Sequence, residues 1–269
     1  MIPPALALAA VALALGIAFI SAMAGVGGGF LYVPVLTLVF GLEPADAVGT
    51  SLVIIIFTTL AASISYLRQG RVFFRSAVFL IIPGVIGAIV GAWVTVFIPG
   101  NLIGVLFSLI VGFLSIGLLL PKFSIIRPIE CGPSSDEVCY DCFSVTARHR
   151  IYYLHYLGWG LVSGLASGLI GIGGGVINVP ALITAGMPVH FATATSTLVV
   201  LCTSVTGAGI HAALGHLNTY YAFLFSSGAI IGGYLGARLA PRAAERMLRT
   251  VIGLLFAVVA LAMGFSSFM

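Results

Sequence analysis

The chain has 269 residues, of which 61% are hydrophobic and only 7% charged, against roughly 25% charged in a soluble domain. That composition leaves no water-facing surface, excludes a soluble globular fold and makes lipid the solvent. The net charge is +4, but the basic residues cluster between apolar runs rather than forming a patch, which argues against nucleic acid as a partner and for membrane lipids.

Membrane spans must satisfy their backbone polar groups, and no alternating ten-residue pattern of a barrel is present, so the predicted fold is all-α and polytopic. The first apolar segment covers about 4–23. It ends in Ala22-Met23-Ala24, which resembles a leader cleavage site, but it has no basic start and is read as a membrane segment. The next segments are about 29–40, 46–66, 74–97 and 101–120. After a polar stretch the pattern resumes at about 151–169, 175–186, 190–213, 219–239 and 249–267. At 1.5 Å per residue the 46–66 segment is roughly 31 Å long and can span, whereas 29–40 and 175–186 reach only roughly 18 Å.

The two sets of five segments correspond. Gly25-Val-Gly-Gly-Gly29 recurs as Gly171-Ile-Gly-Gly-Gly175, 146 positions later, each followed by a Val-Pro pair, Val33-Pro34 and Val179-Pro180. Thr50-Ser51 matches Thr195-Ser196, Thr58 matches Thr203, and Gly70 matches Gly215. Gly87-x3-Gly91-Ala92 matches Gly232-x3-Gly236-Ala237. The predicted organisation is a first repeat over 1–120, a linker over 121–150 and a second repeat over 151–269.

Charge predicts how the repeats relate. Arg68, Arg71 and Arg75 flank the connection between segments three and four, but its counterpart 214–218 carries no Lys or Arg. In the second half the cluster moves to the following connection, with Arg238, Arg242, Arg246 and Arg249. Odd-numbered units place equivalent loops on opposite sides, so the repeats are predicted to be inverted, with the central loop cytoplasmic and both termini outside.

Three successive glycines break a helix, and in lipid the freed backbone must face protein or a water-filled cavity. A helix starting after each break directs unpaired N–H groups, and about half a unit of positive charge, at that cavity. Gly27, Gly28 and Gly29 with Gly173, Gly174 and Gly175 are therefore candidate ligands for a small anion. The spaced pairs Gly87/Gly91 and Gly232/Gly236 are better explained by close helix packing. A nucleotide-binding loop is excluded, because no strand precedes either break.

Thr50, Ser51, Thr195 and Ser196 offer hydroxyls that either cap a helix or donate to an anion. Asn178 replaces Tyr32 in the second motif and is a neutral donor beside the break. Within the predicted segments Asp, Glu, Lys and Arg occur only at the ends, as Asp46, Arg75, Arg238 and Arg249, which weakens a proton-driven mechanism based on a carboxylate fixed inside the membrane. His211, toward the end of a long segment, is the candidate proton-responsive group, against an interfacial role. Cys131, Cys139 and Cys142 in the linker are candidates for thiol, redox or metal chemistry, but a fourth zinc ligand is only loosely placed at His149. Neither a metal nor a cofactor is therefore predicted. Cys202 is read as a small core residue.

The paired Gly-rich-x-Pro motifs, each followed by a Thr-Ser segment and a Gly near the next loop, resemble the TauE/SafE family of sulfite exporters over about residues 10–260. The resemblance implies an inner-membrane transporter, not an enzyme, that exports sulfite or an organosulfonate such as sulfoacetate. It also implies that the glycine motifs and Thr-Ser pairs line the substrate path. The cysteine-bearing linker departs from the family pattern. It leaves two alternatives: an importer of thiosulfate-like compounds with the thiols as acceptors, and a membrane-anchored thiol redox enzyme. An anion channel is a third.

Overall fold

The computed structural model describes residues 4–119, 150–242 and 245–268. The predicted linker and its Cys131, Cys139 and Cys142 lie outside the described residues, apart from Arg150, which opens a helix. Among the described residues the regular structure is entirely helical. Helices α1 (Pro4–Ala24), α2 (Gly29–Pro34), α3 (Pro44–Arg68), α4 (Phe74–Thr95) and α5 (Gly100–Leu119) form the first half. The second half comprises α6 (Arg150–Ile170), α7 (Gly175–Thr184), α8 (Val189–Ala213), α9 (Thr219–Leu239) and α10 (Glu245–Phe268). The apolar runs matched the helix ends closely, except that α2 gives way after Pro34 to a π turn ending at Val39, and α10 begins at Glu245 against the expected 249.

Helices α1, α3, α4, α8 and α9 each contain a stretch long and apolar enough to cross a membrane. Helices α5, α6 and α10 have 20, 21 and 24 residues, so each is about 30 Å long or more. Large apolar side chains such as Trp93, Phe113, Leu154, Phe223 and Leu261 point outward, as a lipid-facing surface requires. Helices α2 and α7 are short, and each contains a proline. Pro34 lacks the N–H that would bond one turn back, and the chain widens into a π turn over Val35–Val39. The Thr37 hydroxyl donates to the Val33 carbonyl there, at 3.0 Å.

Packing is exchanged between the halves. Helix α4 runs parallel to α6, with Gly87 against the Leu161 carbonyl and Gly91 against that of Leu165. Helix α1 runs parallel to α9 in the same way, with Gly232 against the Leu15 carbonyl and Gly236 against that of Phe19. No side chain fits at these four positions, so the glycines are the packing surface that their spacing predicted.

At the centre α3 and α8 cross in opposite directions, Gly49 lying against His211 and Gly207 against Leu52. Helices α5 and α10 are also antiparallel, with Ser108 opposite Gly264 and the Ser115 hydroxyl donating to the Gly253 carbonyl at 2.9 Å. The Gln69 amide donates to the Ala237 carbonyl at 3.1 Å. This brings the end of α3, with Arg68 and Arg71, to the same end of the bundle as Arg238 and Arg242 on and after α9. The 214–218 turn, which carries no Lys or Arg, sits at the opposite end, beside the start of α3.

Candidate functional site at the glycine breaks

Gly28 and Gly174 are the residues before α2 and α7, with φ of 96° and 75°. This left-handed region is open to glycine at little cost and strained for other residues, so the backbone reverses here because the side chain is missing. Gly27 and Gly173 both lie against Ile55 of α3 and Val200 of α8, so the two breaks meet on one pair of side chains. Gly29 packs on the carbonyl of Gly171, and Gly175 on that of Gly25. A Cβ at either position would separate the breaks.

The breaks are sealed, with residues 24–34 and 170–176 all buried. Two open hollows on the outer surface lie elsewhere, one beside Tyr220 and Phe223, the other beside His155 and Trp159. Among the described residues, the N–H groups of Gly28, Gly29 and Phe30, and of Gly174, Gly175 and Val176, meet no backbone acceptor. Six polarised donors are thus held in the dry interior.

The four repeated hydroxyls face backbone. Thr50 Oγ1 accepts the Asn218 N–H at 3.0 Å, and Thr195 Oγ1 accepts that of Phe73 at 3.1 Å. Each threonine thereby fixes the turn entering a helix of the other half. Ser51 donates to the Gly171 carbonyl at 3.1 Å, and Ser196 to the Gly25 carbonyl at 2.8 Å. The serines brace the breaks, while the free donors around them come from the backbone.

Asn178 breaks the correspondence between the halves. It is wholly buried, and neither its amide nitrogen nor its oxygen has a hydrogen-bond partner. Such a group costs roughly 1–3 kcal/mol. Its counterpart Tyr32 fills the space with a ring and donates its hydroxyl to the Ala14 carbonyl at 3.2 Å. Ser163, Ser167 and Ser204 are likewise buried with unpartnered hydroxyls. The Ser163 hydroxyl faces the second break, 2.8 Å from where a Cβ of Gly174 would stand. Ser163 is not among the sequence candidates: it lies outside the glycine motif, and its counterpart in the first half is the apolar Ile17.

His211 is fully buried rather than interfacial. Its Nε2 lies 2.8 Å from the Gly168 carbonyl, and its ring centre is 5.9 Å from that of His216. Tyr66, the counterpart in the first half, donates to the Ala22 carbonyl at 2.7 Å. Both residues therefore tie the end of a central helix to the helix preceding a break. Cys202, expected in the core, is only partly buried. Among the described residues no cluster of three His, Cys, Asp or Glu side chains could hold a metal.

The family described as Sulfite exporter TauE/SafE matches residues 8–263. The chain is 32% identical to the Bacillus subtilis protein YunE, described as a probable membrane transporter, over 82% of this chain and 83% of that one. A Xylella fastidiosa protein of the same description is also 32% identical, over 91% of this chain and 90% of its own length. Sulfite exporter TauE/SafE family protein 5 of Arabidopsis thaliana is 32% identical over only 34% of this chain and 20% of its own length. No solved structure matches at a significant level. The chain belongs to the sulfite exporter TauE/SafE family and is a multi-pass membrane transporter.

Proposed function

We propose that this transporter exports sulfite, or a closely related small sulfur oxyanion, across the inner membrane. The observation that carries the reading is the meeting of two broken helices on Ile55 and Val200, with N–H groups that meet no backbone acceptor and, one turn into α7, the buried and unpartnered Asn178. A dry site of this kind stabilises negative charge without a basic side chain. Gly27, Gly28, Gly29, Gly173, Gly174, Gly175 and Asn178 bind in this reading. Thr50, Ser51, Thr195 and Ser196 shape the site, and His211 is its proton-responsive neighbour. The family description and the Arabidopsis relative's name support sulfite.

The two halves act as inverted repeats over 1–120 and 151–269, joined by the cytoplasmic 121–150 linker, with both termini outside. The antiparallel crossings of α3 with α8 and α5 with α10 support this arrangement. Transport follows the rocking of one half on the other, which lifts Ile55 and Val200 off the glycines and opens the site to alternate sides. The inside-negative potential supplies about 2.3 kcal/mol per exported charge per 100 mV, so a coupling carboxylate is unnecessary.

The test is radiolabelled sulfite efflux from proteoliposomes, with sulfate and sulfoacetate as competitors. Saturable, protein-dependent efflux supports the reading. Absence of efflux overturns it, and flux that fails to saturate would make the protein a channel.

A further inference from the structure

Resting on the anion-transport reading above, we propose that of the two breaks the second supplies the side-chain ligands, and that the ligand is a singly charged oxyanion that keeps one proton, such as hydrogensulfite. The two breaks have matching backbones but different contents. Both are closely packed: a Cβ on Gly174 would lie 2.8 Å from the Ser163 hydroxyl, and at the first break a Cβ on Gly28 would lie 2.9 Å from both the Ser21 hydroxyl and the Tyr32 ring. The groups at the first break are satisfied, Ser21 by the Ile17 carbonyl at 2.6 Å and Tyr32 by that of Ala14. At the second break, Asn178 and Ser163 are buried and unpartnered. Asn178 sits one turn into the ten-residue α7, where its N–H bonds the Gly174 carbonyl at 3.0 Å.

The chemistry of these groups selects a charge. Helices α7 and α8 contain no Asp, Glu, Lys or Arg, and α6 contains only Arg150, at its first residue. The titratable neighbours on the helices packed against α7 are already placed. His155 bonds Thr184 at the far end of α7, 3.0 Å away, and His211 bonds the Gly168 carbonyl. Tyr152, Tyr153, Tyr156, His190 and Cys202 complete the titratable groups on those two helices. The fixed positive field is then at most that of the two helix starts, about one unit. A buried dianion costs about four times the desolvation of a monoanion, because the cost rises with the square of the charge. No cation here would offset it.

The donor and acceptor inventory agrees. Asn178 presents two donors and an acceptor, and Ser163 presents a donor and an acceptor. A fully deprotonated oxyanion can only accept, so it leaves the Asn178 oxygen unpaired. A protonated one donates its O–H there while its remaining oxygens take the N–H groups of Gly174, Gly175 and Val176. Sites built to pair a ligand O–H reject analogues lacking it.

The experiment is sulfite flux through the full-length protein in liposomes of equal internal and external pH, with protein-free vesicles subtracted. The pH is stepped through the range in which hydrogensulfite loses its proton. Above that ionisation the half-saturating total sulfite should rise about tenfold per pH unit, while the maximal rate stays fixed. Sulfate in large excess should not compete. Asn178→Ala should raise the half-saturating concentration about tenfold and narrow the discrimination against sulfate. A half-saturating concentration constant in total sulfite, a maximal rate that moves with pH, or equal competition by sulfate overturns the charge assignment and leaves sulfite transport intact. Absence of any sulfite flux instead defeats the transport reading itself.

Discussion

Ser196 donates its hydroxyl to the carbonyl of Gly25 across 2.8 Å, so a helix of the second half holds the break of the first. Ser51 does the reverse for Gly171 at 3.1 Å, sharing its proton with the Val48 carbonyl of its own helix at 2.8 Å. The breaks are thus positioned from across the molecule. Ser196→Ala or Ser51→Ala strands a buried carbonyl, a loss of about 1–3 kcal/mol. Each variant should unfold at lower temperature in detergent and carry sulfite several-fold more slowly. Unchanged melting and flux in both would show that these bonds do not hold the breaks.

Gly28→Val and Gly174→Val should abolish flux while membrane insertion survives. At φ of 96° and 75° a β-branched residue is strained, by about 1–2 kcal/mol for the left-handed conformation alone. The added Cβ at Gly174 would also stand 2.8 Å from Ser163. Membrane fractionation paired with efflux measures both effects. Retained transport in both variants would refute the assignment of the site to the breaks.

Topology provides an independent check. In a background in which all cysteines are replaced by serine, Gln69→Cys and Arg242→Cys should label from the cytoplasmic face, and Gly215→Cys from outside. Residues 69 and 237 touch in the structure, which supports a shared side for the first two. Labelling of positions 69 and 242 from opposite compartments would be incompatible with inverted repeats.

Replacing Cys131, Cys139 and Cys142 together by Ser should leave sulfite efflux at its original rate. A site built of backbone donors, Asn178 and Ser163 needs no thiol. Loss of transport in the triple variant would return the linker cysteines to the mechanism and favour the thiosulfate-import alternative.

Much of this was legible in the chain itself. Apolar run lengths located the helices, because lipid demands about 20 apolar residues per crossing and tolerates few charges. The repeated GGG and Val-Pro placed the two breaks, because few sequences other than glycine allow the backbone to reverse there. The spacing of Gly87/Gly91 and Gly232/Gly236 marked the close helix contacts. Tertiary structure decided what these local signals do not encode. It set which helices pair, exchanging α4 and α9 onto α6 and α1. It also turned the Thr-Ser pairs toward backbone of the opposite half and left Asn178 and Ser163 without partners. The physical reason is that a residue's own segment determines whether it is helical. Whether a buried hydroxyl or amide is satisfied depends on groups more than a hundred positions away, which only the folded packing brings within hydrogen-bonding reach.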